Sequence, residues 1–154
     1  MNVSIRRMTL EDVPTVHEID TLSFSLPWPE RSFRFELSEN PVSRCWVAES
    51  GGRIAAILVL WLIVDEAHIA TIATHLDFRR QGVGERLMIA ALLSARAEGA
   101  AHAFLEVRAG NAGALALYKK LCFVVASIRP RYYKDNNEDA ILMDLEDLNG
   151  LEAA

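Results

Sequence analysis

The sequence predicts one α/β domain: a mixed, mostly antiparallel sheet with flanking helices and a βαβ crossover. The 154 residues suit one domain with a full core. Residues 45–49 and 53–62 are apolar runs around Ser50-Gly51-Gly52, a hairpin signal that makes neighbouring strands antiparallel. Residues 67–108 then read as strand, glycine turn, helix and strand, which predicts the crossover between parallel strands.

Three elements are expected before the hairpin. Residues 3–7 alternate weakly and predict a first strand. Residues 9–22 predict a helix, because Thr9 is followed three residues later by an acid in the pattern of a capping box. Residues 29–38 predict a second helix with Pro29 as its first residue.

The loop between these two helices reads FSLPWP, residues 24–29. Its two prolines and Trp28 make it irregular and aromatic. It is either a hydrophobic staple between the helices or one wall of a peptide-binding groove, and the sequence leaves both open.

The last strand of the crossover, at residues 101–108, is apolar and is interrupted by Glu106. The other expected elements are a helix at 112–121, strands at 123–129 and 141–145 on either side of a polar loop at 134–139, and a frayed tail at 149–154. The expected domain therefore spans residues 1–148.

Composition narrows the classes of partner. Hydrophobic residues make up 51% of the chain and charged residues 24%, an ordinary globular balance. The net charge of −5 provides no basic field for nucleic acid and favours a basic protein or peptide. No apolar run reaches membrane-spanning length, and the first residues lack the apolar region of a signal peptide. We therefore expect a cytoplasmic protein without a nucleic-acid or membrane partner.

The metal-ligating residue types show no ligand pattern. Cys45 and Cys122 lie far apart, and both are expected to pack as small hydrophobes in a reducing cytoplasm. The four histidines have neither metal-ligand nor triad spacing. No metal is expected.

The turn after the strand at residues 67–74 has the chemistry of a diphosphate site. Gly82 and Gly84 stand at the start of a helix, where N–H groups lack partners, the helix dipole favours an anion, and glycine allows close approach. A Rossmann fingerprint would need glycine at Leu87, and a Walker loop would need Gly-Lys-Ser/Thr; both are absent. The alternative is a glycine turn that starts a helix beside solvated arginines.

Glu106 lies between Leu105 and Val107 in an apolar strand. A buried carboxylate is costly unless it is paired or functional, and burial would raise its pKa towards that of a general base. Because side chains alternate along a strand, Glu106 could instead face solvent on the opposite side. Arg108 would share that face and could be its ion-pair partner.

Tyr118 follows Glu106 by twelve residues, on the expected helix at 112–121. It is either a core aromatic whose hydroxyl reaches the surface or a general acid. A phenol, with a pKa of about 10, can protonate a thiolate leaving group, whose pKa is about 8.5. Asn111 is the expected N-cap of this helix.

Two motifs resemble one enzyme family. The turn at residues 79–84 resembles motif A, Q/R-x-x-G-x-G/A, of the GNAT superfamily of N-acetyltransferases, whose loop holds the pyrophosphate of coenzyme A. Residues 105–123 resemble LEVRxxNxxAxxLYxxxGF, a signature of the RimI-type branch, the bacterial ribosomal-protein alanine N-acetyltransferases. The likeness covers about residues 67–145 and includes RYY at 131–133 and EDAILM at 138–143.

The resemblance implies a site for acetyl-CoA. Strand residues would pair with the pantetheine arm, backbone amides of residues 80–85 would hold the pyrophosphate, and Asn111 would contact the cosubstrate. The residues so assigned are Ile72, Ala73, Thr74, Arg79, Arg80, Gln81, Gly82, Val83, Gly84, Glu85 and Asn111.

The resemblance also implies the chemistry. Glu106 would be the general base, directly or through a water, an N–H near Thr74 would polarise the carbonyl, and Tyr118 would be the general acid in a direct transfer. The substrate would be a protein N-terminus, namely the N-terminal alanine of the eighteenth protein of the small ribosomal subunit. Trp28, Tyr132 and Tyr133 are our candidates for the peptide groove.

Two rival functions remain open at this point. A broader N-terminal or lysine acetyltransferase could use the same scaffold, and an acetyl-CoA-binding module could lack turnover altogether. The chain also departs from the family at Cys122, where glycine is usual, at Leu76, where proline is usual, and at Thr74, where valine is usual. These departures bear on substrate range rather than on the assigned catalytic side chains.

Overall fold

The computed structural model describes residues 2–153, so Met1 and Ala154, the ends of the expected domain and tail, lie outside the described residues. Within the described range, no helix is long and apolar enough to cross a membrane. The strands are β1 Ser4–Arg7, β2 Ser43–Ser50, β3 Arg53–Ile63, β4 Glu66–Thr74, β5 His102–Arg108, β6 Val124–Tyr133 and β7 Glu138–Leu145; the α-helices are α1 Val13–Ser23, α2 Glu30–Ser38, α3 Val83–Ala97 and α4 Ala112–Lys120.

The strands form one mixed sheet in the order β1-β2-β3-β4-β5-β7-β6. Adjacent strands are antiparallel except β4 and β5, which are parallel and are connected through α3. The predicted fold class and the crossover are therefore confirmed. The capping box is also present, with Asp12 accepting from the backbone N–H of Thr9 at 2.8 Å. It opens a short 3-10 turn at Leu10–Asp12 that leads into α1.

The two faces of the sheet bury separate cores, and the alternation along β3 explains why. Ile57 and Val59 pack with α1 and α2, whereas Leu58 and Leu60 on the opposite face pack with α3. Because β3 is covered on both faces, its sequence is apolar without interruption at residues 54–62. The helices therefore flank a sheet whose central strands are buried on both sides.

The structure corrects two boundaries near the C-terminus. The expected polar loop at 134–139 is shorter, because Tyr133 pairs with Glu138 and the strands continue to that point. The tail expected to fray from residue 149 is held at its start: Arg96 Nη1 donates to the carbonyl oxygens of Leu148 and Leu151 at 3.1 and 2.8 Å. Leu148 is fully buried, and Leu151 packs against the same core.

The structure also corrects the start of α2, where Pro29 is the N-cap rather than the first residue of the helix.

Cys122 is exposed rather than packed as a small hydrophobe, and it occupies a backbone position that favours glycine. Its φ of +72° is left-handed. The N–H of Cys122 donates to Lys119 O and that of Phe123 to Tyr118 O, both at 3.0 Å. These two bonds form a Schellman motif that ends α4, in which the position of Cys122 is the one usually taken by glycine.

We predict that Cys122→Gly stabilises the protein by about 0.5–1 kcal/mol. Relief of the left-handed strain, about 1–2 kcal/mol, outweighs the cost of about 0.4–1 kcal/mol from the greater flexibility of glycine in the unfolded chain. Urea unfolding of the wild type and the variant measures the difference. Cys122→Ala is the matched control, because it removes the thiol but keeps Cβ; an equal gain in the alanine variant would contradict the backbone explanation.

Candidate active site

A cavity of about 1140 Å³ opens where β4 and β5 separate. The two strands pair only from Glu66 to Ile69 on β4 and from His102 to Leu105 on β5. Beyond Ile69, β5 continues to pair with β7, while β4 keeps only β3 as a neighbour. The last residues of β4, from Ala70 to Thr74, line the cavity with one backbone edge free, and most of them are half-buried rather than covered on both faces.

The glycine turn closes one end of this cavity. Gly82 is the N-cap of α3 with a left-handed φ of +77°, a conformation open to glycine at little energetic cost. A Cβ on Gly84 would lie 3.1 Å from Thr74 Oγ1, so glycine there allows α3 to start against the end of β4. Within the described residues, no hydrogen bond is made by the backbone N–H groups of Val83, Gly84 and Glu85. The turn therefore presents unpaired donors to the cavity and fits a diphosphate.

Side chains around the turn add positive charge. Arg79 Nε donates to Thr74 O at 3.0 Å, which ties the turn to β4. Arg80, with a left-handed φ of +61°, also lines the cavity. Gln81 does not line it and instead donates to Asp77 O at 3.2 Å. Lys120 from α4 bonds Glu85 Oε2 at 2.8 Å, so it joins the two helices at this end.

Glu106 faces the same cavity. Along β5 the neighbours Leu105 and Val107 are buried on the other side of the strand, and Glu106 is only partly exposed. Its ion-pair partner is Arg129 of β6, with 3.7 Å between Arg129 Nη1 and Glu106 Oε1. The sequence-based suggestion of Arg108 as the partner is wrong, because that guanidinium turns towards Asp135 and Glu138 at the end of the β6–β7 hairpin.

Tyr118 projects from α4 into the wall of the cavity. Its side chain is 5% exposed and lies against the ring of Phe123, with 6.0 Å between the ring centroids. Burial raises the pKa of the Tyr118 hydroxyl, so the phenol stays protonated at neutral pH. Among the described residues, Trp46 Nε1 is the only fully enclosed side-chain polar atom without a partner. The Tyr118 hydroxyl, which is not bonded to another described residue, thus keeps its contact with the cavity.

Asn111 is the N-cap of α4, as predicted. Its Oδ1 accepts from the N–H of Ala114 at 3.2 Å, and the residue lines the cavity. This bond holds the start of the helix that carries Tyr118.

Aromatic side chains form the other end of the cavity. Trp28 lines it and packs on Phe33 of α2 and Trp61 of β3, at centroid distances of 5.2 and 6.3 Å. The FSLPWP loop therefore both packs between helices and forms a cavity wall. Tyr133 lines the cavity, whereas Tyr132 is exposed outside it and stacks edge-on against Tyr133.

Asp20, which was not predicted from the sequence, shapes this wall. Its carboxylate is fully buried, and burial raises its pKa. Asp20 accepts from the Trp28 N–H at 2.8 Å and from Thr71 Oγ1 at 3.4 Å, so it ties the FSLPWP loop to β4. The sequence feature that could have identified Asp20 is its position on the apolar face of α1 beside Ile19, where a carboxylate needs hydrogen-bond partners.

The arrangement supports acid–base chemistry next to an anion site. A carboxylate and a protonated phenol reach one cavity from β5 and α4, and the glycine turn provides N–H donors in the same cavity. A ligand with a diphosphate at the turn could extend along the free edge of β4 towards Glu106 and Tyr118.

Known proteins share the sequence and the fold of this chain. The model of the acetyltransferase (GNAT) family matches residues 13–123. A Bacillus subtilis protein, provisionally named a ribosomal protein bS18 alanine N-acetyltransferase, is 40% identical over 140 residues, which is 91% of this chain and 93% of that protein. The Escherichia coli ribosomal protein bS18 alanine N-acetyltransferase is 35% identical over 144 residues, 92% of this chain and 96% of that protein.

A solved structure shows the same similarity. The crystal structure of the ribosomal-protein-S18-alanine N-acetyltransferase from Escherichia coli superposes with a TM-score of 0.86 at 33% identity and covers 99% of this chain and 96% of that one. The resemblance inferred from the motifs is thus confirmed. The chain belongs to the acetyltransferase (GNAT) family and is an acyltransferase.

Proposed function

We propose that this protein transfers the acetyl group of acetyl-CoA to the N-terminal alanine of ribosomal protein bS18 in the cytoplasm. The observation that supports it most is that Glu106 and Tyr118 reach one cavity between the glycine turn and the aromatic wall. The activity for which the Bacillus and Escherichia relatives are named supports the choice of substrate.

The donor would lie along residues already described. Acetyl-CoA, the acetyl donor of this family, would supply a thioester and a thiolate leaving group. The N–H groups of Val83, Gly84 and Glu85 would bind its diphosphate, with positive charge from Arg80. The free edge of β4 at Ile72–Thr74 would pair with the amides of the pantetheine arm as an added strand.

The acceptor amine would meet Glu106. The carboxylate takes one proton from the substrate ammonium, directly or through a water, and the free amine then attacks the acetyl carbon. Tyr118, kept protonated by burial, donates its proton to the departing sulfur and recovers one from the attacking nitrogen. Backbone N–H groups near Thr74 would stabilise the oxygen that gains negative charge.

A single carboxylate base suits an N-terminal amine. With a pKa of about 7.8, an α-amine is roughly 10% unprotonated at neutral pH, whereas a lysine amine with a pKa of about 10.4 is below roughly 0.1%. The net charge of −5 also suits a basic ribosomal substrate.

We predict that peptides bearing the N-terminus of bS18 are acetylated and that Glu106→Gln lowers kcat/KM by about 10²–10⁴-fold, because glutamine keeps the shape but cannot accept the proton. Mass spectrometry of peptides with N-terminal Ala, Ser or Met, together with an N-blocked lysine peptide, measures both. Glu39→Gln, at an exposed carboxylate outside the cavity, is the control. Label on the blocked lysine peptide would favour the broader acetyltransferase. Bound coenzyme A without label on any peptide would favour a binding module and contradict the proposal.

We predict that Tyr118→Phe lowers kcat by about 10²-fold or more at unchanged fold, because it removes the proton donor.

The pH dependence of the wild type gives a second prediction, because the active form of Tyr118 is the neutral phenol. Since burial raises its pKa, loss of that form moves to higher pH than for an ordinary tyrosine. The kcat profile should therefore show no fall at a pH of about 10, within the range where circular dichroism shows folded protein. A fall centred there, lost in the phenylalanine variant, would contradict this assignment.

We predict that Gly84→Val weakens coenzyme A binding by about tenfold or more, since a side chain 3.1 Å from Thr74 Oγ1 separates the start of α3 from β4 and moves the free N–H groups. Isothermal titration calorimetry measures the dissociation constant. Gly150→Val, where a Cβ meets no atom within 4 Å, is the control. Wild-type affinity in a folded Gly84→Val protein would place the diphosphate elsewhere.

A further inference from the structure

Arg108 joins three segments that are far apart in the sequence. From the end of β5, its Nη1 donates to Asp135 Oδ1 at 3.1 Å and to Glu138 Oε1 at 3.3 Å. Its Nη2 donates to Ser25 Oγ at 3.4 Å, and its guanidinium lies 3.9 Å from the centre of the Tyr133 ring. Ser25 in turn donates to Asp135 Oδ2 at 2.6 Å.

These contacts connect the two sides of the aromatic end of the cavity. Ser25 belongs to the FSLPWP loop, which forms one wall with Trp28. Asp135 belongs to the turn between β6 and β7, whose neighbours Tyr133 and Asn136 form the other wall. A bond between Ser25 and Asp135 therefore crosses from one wall to the other. We call Ser25, Arg108 and Asp135 together the strap.

The strap lies at the surface, where Asp135 is an exposed residue, but it consists of several linked bonds and not of one ion pair. The side chains of Arg108, Asp135 and Glu138 are 22%, 24% and 20% exposed, and Arg108 contacts both carboxylates. Hydrogen bonds from Ser25 and then from Arg108 hold the pKa of Asp135 below its usual range, so its carboxylate is ionised at neutral pH. Charges that share several hydrogen bonds in a network hold geometry better than isolated surface pairs do.

Removal of Arg108 would release one side of the strap selectively. Glu138 keeps two other donors, the Gly110 N–H at 2.5 Å and Asn136 Nδ2 at 3.3 Å. Asp135 would keep only Ser25, and it would face Glu138 without a cation between them. The turn of Asp135 is therefore the part of the strap that is expected to move.

We propose that the strap holds the two walls of the acceptor groove together and that Arg108 is a positioning residue that determines affinity for the acceptor peptide. The proposal rests on the proposed function only in that the acceptor is taken to bind at the aromatic end. Among the described residues, no strap residue bonds the glycine turn at residues 79–85, so we expect donor binding to change little when the strap is removed.

The first test compares Arg108→Met with the wild type by steady-state kinetics. Methionine keeps an apolar stem of similar length but loses every donor. We expect KM for the acceptor peptide to rise about tenfold while KM for acetyl-CoA stays within about twofold. Arg34→Met, which removes an exposed ion pair to Glu30 on α2, is the matched control and should change neither constant. A parallel rise of both constants, or no rise in either, would overturn the proposal.

A second pair of variants isolates the contact between the walls. Ser25→Ala removes the donor to Asp135, whereas Ser25→Thr retains a hydroxyl. We expect the alanine variant to raise KM for the peptide and the threonine variant to restore it. Equal constants in both variants would show that the Ser25–Asp135 bond does not position the acceptor.

Hydrogen–deuterium exchange tests the strap without any substrate, so it separates failure of this proposal from failure of the proposed function. In Arg108→Met we expect faster amide exchange at residues 24–28 and 134–137 and unchanged exchange at residues 79–85. If no peptide were acetylated by the wild type, this measurement would still decide whether the strap exists. Unchanged exchange at both loops would overturn it.

Discussion

The separation of β4 from β5 is the constraint on which the site depends. Parallel pairing between β4 and β5 ends after four residues, at Ile69 and Leu105. Beyond that point β4 pairs only with β3, and β5 pairs only with β7. An unpaired strand edge inside a sheet leaves N–H and C=O groups without partners, which is unfavourable unless water or a ligand bonds to them. The gap simultaneously creates the cavity, exposes the edge of β4 and places Glu106 just beyond the point of divergence. Donor binding and base placement thus arise from one feature of the sheet.

Two acidic groups in the cavity are held in contrasting surroundings. Glu106 lies on a half-exposed face and has Arg129 3.7 Å away, whereas Tyr118 is almost fully enclosed against Phe123. Enclosure favours the neutral form of a phenol, which suits Tyr118 to proton donation. In the proposed mechanism, the carboxylate of Glu106, which faces the same cavity, accepts the proton. The Schellman motif at Cys122 and the N-cap at Asn111 fix the short helix that carries Tyr118 at both of its ends.

The acceptor end is built from contacts between loops rather than from regular elements. Asp20 joins the FSLPWP loop to β4 through the Trp28 N–H and the Thr71 hydroxyl, and the strap joins the same loop to the β6–β7 turn. Both connections use carboxylates with several donors, so that directional bonds add to the packing of Trp28 on Phe33 and Trp61. Loops held in this way can vary in sequence while the sheet and the glycine turn stay the same. The sheet and the glycine turn are therefore the parts proposed to bind the donor, and the loops are the parts proposed to bind the acceptor.

Local periodicity, capping and backbone freedom were enough to predict the strands and helices, the crossover and the glycine turn, and they left two directions open for Glu106. Alternation along β5 placed Glu106 opposite Leu105 and Val107, but it could not identify Arg129 as the partner, since Arg129 comes from a strand that is two positions away in the sheet. The same limit applies to Asp20, to the hydroxyl of Tyr118 and to the strap, whose members Ser25 and Asp135 are 110 residues apart. These pairings are visible only in the folded protein, because they depend on how the sheet twists and separates and on which loops it thereby brings together.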